Sequence, residues 1–296
     1  MQTTTFTFPS ADGLAIRTYR WTPEGDPIGT VQIAHGMGEH AGRYARLAMA
    51  LTDAGWAVYA NDHRGHGLSV VNGSTAPEVE PGGLGDFGVG GWEGLVDDLV
   101  RLNTLIGDEV RGRPRVLLAH SMGSFAAQEY ILDHSHDIDA LVLSGTTAVD
   151  LAAAAIDTTE GADLTALNAP FEPARTPFDW LSRDEAEVDL YVADPWCGFG
   201  IDAAAAGSMV AGAPRLGEIE VLAAIRSDLP LYLVAGSADP LNMGLALVEL
   251  VEQRYREAGL TDITTDFPDG ARHEVFNETN RDEITARLLT WLGRFA

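Results

Sequence analysis

The chain has 296 residues, a formal net charge of −25 and a hydrophobic fraction of 46%, enough for one large domain, or a domain with an insertion, around a sizeable core. The acidic balance argues against nucleic acid, which needs clustered cations, and against electrostatic attraction to anionic membranes. All 19 basic residues are arginines, so there is no Schiff-base or P-loop lysine, and a single cysteine, Cys197, rules out an internal disulfide and lacks the setting of a nucleophile.

The N-terminus, MQTTTFTFPSADG, has neither a basic n-region nor an apolar h-region. No apolar run reaches the roughly 18 residues of a membrane span, so no stable membrane insertion and a soluble, cytoplasmic protein are expected. TTTFTF and LAIRTYRW alternate on either side of an ADG turn and predict two antiparallel strands. TVQIAHG reads as a short buried strand, ARLAMALTDAG as an amphipathic helix closed by Gly55, and WAVYAND as the next strand. PGGLGDFGVGG contains Gly83-x-Gly85-x-x-Gly88, but it follows a turn-like segment rather than a strand, so it predicts a mobile loop and not a dinucleotide site. A helix over GWEGLVDDLVRLNTLI, a strand over RVLLAH, a helix over SFAAQEYILDH and a strand over IDALVLSG follow. Residues 146–225, rich in Ala, Pro, Asp and Trp, break the rhythm with short helical pieces. The rhythm returns with a strand in LPLYLVAG, a helix around LALVELVEQRYREAG, a strand in DITTDFP and a closing helix in EITARLLTWLGRF. The pattern predicts an α/β fold: a mostly parallel central sheet with helices on both faces, built from residues 1–145 and 226–296 and interrupted by a mostly helical insertion, 146–225.

Ser121 stands at the abrupt change from strand to helix. Ligands of open α/β sheets bind at the carboxyl ends of strands, and Ala119-His120-Ser121-Met122-Gly123 fits a nucleophile elbow with alanine at its first small position. The same serine could instead be an ordinary helix cap. A hydroxyl nucleophile needs a base. His273 follows the strand DITTDF, whereas His134 and His136 lie in a polar turn and read as solvated. His63 and His66 lie in NDHRGHG without an obvious further metal ligand, and HEVFN is not a zinc motif because Asn277 ends it. No metal and no cofactor is expected. The acid that orients the imidazole is best placed at Asp239, in GSADP; Asp266 and Asp269 compete from positions nearer His273. The order Ser121, Asp239, His273 is that of α/β-hydrolases. The backbone amides of Met122 and Met37, the latter in the loop HGMGEH, are the candidate oxyanion donors.

On HGMGEHAGRY, YANDHRGHGLS, AHSMGS, GSADP and RHEVFNE, in this order and over nearly the whole chain, the sequence resembles the α/β-hydrolase superfamily, and within it the monoacylglycerol lipase and lysophospholipase-like group. The resemblance implies Ser121 as nucleophile, Asp239 as acid, His273 as base, Met37 and Met122 as oxyanion donors, and a structural role for the turn Asp62–Gly67. It departs from the pattern at Ala119, where the elbow usually has glycine. It also implies that residues 146–225 form a cap that selects the substrate and could touch lipid transiently; Phe171, Phe178, Trp180, Trp196 and Phe199 either line an acyl tunnel or pack the cap. The expected activity is hydrolysis of small-molecule, lipid-like esters such as monoacylglycerols or lysophospholipids. Small or xenobiotic esters, amides or peptides, acyl transfer, and ligand binding without catalysis remain alternatives.

Overall fold

The computed structural model describes residues 1–70, 83–154 and 158–296. The chain folds through β1 (Gln2–Pro9), β2 (Ala15–Thr22), β3 (Gly29–Ala34), α1 (Ala45–Asp53), β4 (Trp56–Asn61), α2 (Gly91–Glu109), β5 (Arg115–His120), α3 (Met122–His134) and β6 (Ala140–Ser144). It continues through α4 (Val149–Ala153), α5 (Glu185–Ala193), α6 (Ala203–Gly212), α7 (Ile219–Leu222), β7 (Leu231–Val234), α8 (Ala246–Glu257), β8 (Ile263–Asp266) and α9 (Arg281–Leu292). The strands make one sheet in the order β1-β2-β4-β3-β5-β6-β7-β8. β1 and β2 pair antiparallel, β2 joins β4 antiparallel, and every pairing from β4 to β8 is parallel.

The continuous apolar runs become central strands because both of their faces are covered. Every residue of β3, β4 and β6 is buried. Leu95, Leu99, Leu102 and Ile106 recur at helical spacing and face α2 inward. Side chains of α2, α3 and α8 fill one face of the sheet, and those of α1 and α9 fill the other. β3 lies between β4 and β5, so the chain leaves β3 toward one side and returns on the other. Such a reversal opens a crevice at the carboxyl ends of the two strands. The loop after β3 and Ser121 after β5 both lie there.

Among the described residues, the segment between β6 and β7 adds no strand to the sheet; its only extended pairing is the isolated bridge between Ala162 and Ile201. Residues 155–157 of the expected insertion lie outside the described residues. Ala205, Ala206 and Met209 of α6 join the core that holds α2 and α3, whereas Trp180, Leu181 and Tyr191 form a separate small apolar cluster. Pro81 and Gly82 of the glycine-rich stretch also lie outside the description. From Gly83 onward the stretch is a loop that packs inward in part, with Phe87 buried and Gly85 N–H donating to Gly65 O (2.8 Å), while Val89 stands exposed.

Candidate active site

The serine comes first. β5 ends at His120 and α3 begins at Met122, two residues earlier than the helix predicted from sequence, so Ser121 alone makes the turn. It does so at φ 50° and ψ −123°, a region non-glycine residues avoid at a cost of about 1–3 kcal/mol. The turn is held by Ser121 N–H donating to Ser144 O (2.9 Å) and by Ser124 and Phe125 N–H donating back to Ser121 O. A Cβ on Gly123 would lie 2.4 Å from the carbonyl oxygens of Ala34 and His35, which is why glycine stands there. Ala119 is fully buried, paired between Ala34 and Leu143, and its methyl group is accommodated.

The histidine and the acid meet through two loops. A Cβ on Gly236 would lie 2.1 Å from Ala271 O and 2.2 Å from Arg272 O, and Ala238 N–H donates to Ala271 O (2.9 Å), so the loops after β7 and β8 run in contact. This brings His273 Nδ1 to 2.9 Å from Asp239 Oδ2, with the two residues 1% and 2% exposed. Asp239 Oδ1 accepts from Leu241 N–H (3.0 Å), and Asn242 Nδ2 donates to Oδ2 (3.3 Å). Burial works to lower the His273 pKa, but the charge and hydrogen bond of Asp239 outweigh it and raise it above the ordinary value. His273 Nε2 is buried and has no hydrogen-bond partner among the described residues. The competing acids are engaged elsewhere. Asp266 accepts from Tyr232 (2.7 Å) and Arg287 (2.8 Å), and Asp269 accepts from Ser237 (3.3 Å). Gly145 separates the parts closely: a Cβ there would lie 2.9 Å from His273 Cε1.

The loop after β3 lies over the serine, since a Cβ on Gly36 would be 3.1 Å from Ser121 Cβ. Met37 is half-buried, and Met122 is the first residue of α3, where a helix leaves its N–H groups without internal acceptors. Glu39 holds the loop: Oε1 accepts from Gly36 N–H (2.6 Å) and Tyr44 OH (2.8 Å), and Oε2 accepts from Arg43 (2.6 Å). Arg43 then forms a two-pronged pair with Glu274 (2.6 and 2.8 Å), and Asn277 donates to the same carboxylate (2.8 Å). Burial opposes the Glu274 charge, but Arg43 prevails and holds its pKa down at about 2. Thus HGMGEHAGRY and RHEVFNE, far apart in sequence, are tied by one buried ionic chain beside His273. Glu39, Arg43, Tyr44 and Glu274 were assigned no role from sequence. The Glu39–Arg43 spacing of four was a legible signal for a pair; the link to Glu274 was not.

The aromatic residues of the insertion divide. The Trp180 ring lies 4.8 Å from the His273 ring, Phe178 packs on Tyr191 (5.0 Å), and Phe199 lies 5.0 Å from His66. Phe171 lies under the Arg272 guanidinium (4.4 Å), and Trp196 is half-buried beyond Asp194. His35, His63 and His66 are buried together, with His35 and His63 ring centroids 4.2 Å apart. In the same turn Asp62 caps the loop through Ala41 N–H and Leu68 N–H (both 2.9 Å), and Arg64 is buried against Asp98 (2.9 Å) and Asp12 (3.0 Å). His134 is the half-buried last residue of α3 rather than part of the turn and pairs with Asp137 (2.9 Å), whereas His136, in the turn after it, is exposed. Among the described residues, His40, Asp194 and Cys197 each bring one potential metal-ligand atom within 4.8 Å of the others. His40 Nδ1 accepts from Gly42 N–H, so Nε2 carries the proton it shares with Asp194 (3.0 Å), a hydrogen bond that needs no ion. No helix among the described residues is long and apolar enough to cross a membrane.

A family model, Hydrolase_4, described as "Serine aminopeptidase, S33", matches residues 25–280. A monoacylglycerol lipase of Mycolicibacterium smegmatis is 31% identical over 96% of this chain and 95% of its own length. A monoglyceride lipase of Rattus norvegicus is 30% identical over 96% of this chain and 88% of its own. Among solved structures, a thermostable carboxyl esterase from Bacillus coagulans in complex with glycerol superposes with a TM-score of 0.88 at 25% identity, covering 100% of this chain and 99% of the other.

Proposed function

We propose, from the premise that the chain belongs to the Hydrolase_4 family and is a serine ester hydrolase, that it cleaves lipid-like esters of the monoacylglycerol or lysophospholipid kind through Ser121, His273 and Asp239. The observation that carries this reading is the buried His273–Asp239 pair at 2.9 Å, with a raised imidazole pKa and an Nε2 that has no hydrogen-bond partner among the described residues; a serine held at positive φ at the end of β5 supports it. A base poised in this way keeps one nitrogen available for the serine proton while the carboxylate fixes the other.

In the cycle, His273 Nε2 takes the Ser121 proton as Oγ attacks the ester carbonyl. The developing oxyanion is received by the amides of Met37 and Met122, each contributing about 3 kcal/mol of transition-state stabilisation. His273 then protonates the leaving alcohol. Water repeats the sequence on the acyl-enzyme and frees the acid. Residues 146–225 act as a cap over the crevice. Trp180 walls the imidazole, whereas Phe171 and Phe178 pack the small apolar cluster of the insertion. The reaction as drawn requires no metal or organic cofactor.

The test is turnover of p-nitrophenyl esters from acetate to palmitate, 1-monoacylglycerol and aminoacyl p-nitroanilides, each beside Ser121→Ala. Ester turnover lost in the variant, with preference for medium or long acyl chains, is the expected result. Anilide cleavage exceeding ester cleavage would replace the reading with a peptidase. Equal rates in variant and wild type would remove Ser121 from the mechanism.

A further inference from the structure

The loop that carries the Met37 amide is gripped from two sides. On the core side, Glu39 accepts from Gly36 N–H (2.6 Å) and is locked by Tyr44 and Arg43. On the insertion side, the Gly38 carbonyl receives two donors: the Tyr191 hydroxyl (2.7 Å) and Gly198 N–H (2.9 Å). Met37 lies between these anchors. Gly38 itself has φ 65°, and a Cβ there would lie 2.5 Å from Phe199 O, so the insertion follows the loop at backbone contact distance. The Tyr191 ring is 2% exposed and is fixed by the Arg43 guanidinium over its face (4.8 Å) and by Phe178 (5.0 Å). Its hydroxyl therefore has little freedom to do anything but hold Gly38.

We propose that Tyr191 is a positioning residue for the reaction: its hydroxyl fixes the Gly38 carbonyl and thereby orients the preceding loop, so that the Met37 amide is pre-aimed at the oxyanion. The insertion then has a second task besides admitting substrate, because one of its side chains completes the electrostatic geometry of the core. Preorganised donors stabilise the transition state more than the ground state, so the effect belongs in kcat. Gly198 N–H continues to hold Gly38 when the hydroxyl is removed, so the loss is smaller than the 10²–10³-fold that deletion of a direct donor costs. About tenfold is expected.

This inference rests on the proposed serine mechanism, and the experiment separates the two. Tyr191→Phe removes only the hydroxyl and keeps the ring packing; its folding is verified by thermal melting. Wild type, Tyr191→Phe and Ser121→Ala are compared in kcat and KM on one p-nitrophenyl ester. Wild type and Tyr191→Phe are also compared in affinity for an alkyl trifluoromethyl ketone, which forms an oxyanion adduct, and for the corresponding non-electrophilic alcohol, which does not. The expected result is a roughly tenfold fall in kcat with KM nearly unchanged, a matching loss of ketone affinity, and unchanged alcohol affinity. A change in KM and alcohol affinity with kcat intact would make Tyr191 a substrate contact and overturn the proposal. Unchanged kcat and ketone affinity in Tyr191→Phe, with Ser121→Ala inactive, would overturn it while leaving the mechanism standing. Activity in Ser121→Ala would overturn both.

Discussion

Two regions of this molecule bury histidine, with opposite results. The turn after β4 buries His63 and His66 beside His35, and among the described residues no carboxylate is hydrogen-bonded to any of the three rings. Burial pushes the His63 pKa down to about 3 and that of His66 to about 4, and it lowers His35 as well. The loop after β8 buries His273 just as deeply, yet Asp239 at 2.9 Å raises it. Burial by itself silences an imidazole; burial with one well-placed carboxylate produces a base. His120 makes the contrast sharper: its ring is 4.7 Å from that of His273, but burial and the neighbouring imidazole lower it to about 4.

The strongest way to break the contrast is to give His273 the environment of His63. Asp239→Asn leaves a hydrogen-bonding side chain but no charge and favours the wrong tautomer. Ester kcat is expected to fall by about 10⁴-fold. A loss below tenfold would show that Asp239 does not orient the base.

Next in size is the turn itself. Arg64 is 1% exposed and bonded to Asp98, whose side chain is fully buried. Arg64→Met leaves that carboxyl without its cation, a change that costs about 3–5 kcal/mol. Burial already pushes the Asp98 pKa up to about 6 even with Arg64 present, so neutralisation of the acid places the cost near 3 kcal/mol. Urea unfolding should show this loss, while kcat per folded molecule stays within a factor of about two. An Arg64→Met enzyme of normal stability would contradict the structural role of the turn.

A smaller effect lies in pH, with opposite signs in the two regions. His63, His66 and His120 have folded pKa values below the unfolded value near 6.5. As pH falls below about 6.5 the unfolded chain takes up protons that the folded one refuses. Stability should drop by up to about 1.4 kcal/mol per pH unit for each such histidine until its folded pKa is reached. His273 is raised, so its contribution is present below about 6.5 and is lost as pH rises through the folded value. In the proposed mechanism it acts in its neutral form, so kcat/KM should fall on the acid side with a midpoint above about 6.5. Urea midpoints that do not change between pH 7 and 5, or an acid limb below pH 6, would contradict these assignments. The smallest test is His63→Gln, which should flatten the stability slope by at most about 1.4 kcal/mol per pH unit and leave the acid limb of activity in place.

Much of this was legible in the sequence. Short continuous apolar runs such as VLLA and LVLS, bounded by turn residues, read as buried strands, and Leu95, Leu99, Leu102 and Ile106 share one face of a helix. Gly123 and the abrupt strand end marked Ser121, because a sharp turn next to close backbones leaves room for little else. Local period and local sterics act over a few residues and survive in a single sequence. Other features depend on distance in space alone. That Asp239 and not Asp269 reaches His273 follows from loops at Gly236 and Ala271 that touch only when β7 and β8 pair. That Glu274 joins Glu39 through Arg43, or that Tyr191 reaches Gly38 across 153 positions, leaves no periodic trace. The sequence by itself determined the strands, the helices and the type of chemistry. The tertiary structure decided which acid, which cation and which hydroxyl meet at the candidate site, because hydrogen bonds and ion pairs act over about 3 Å and only packing brings distant residues that close.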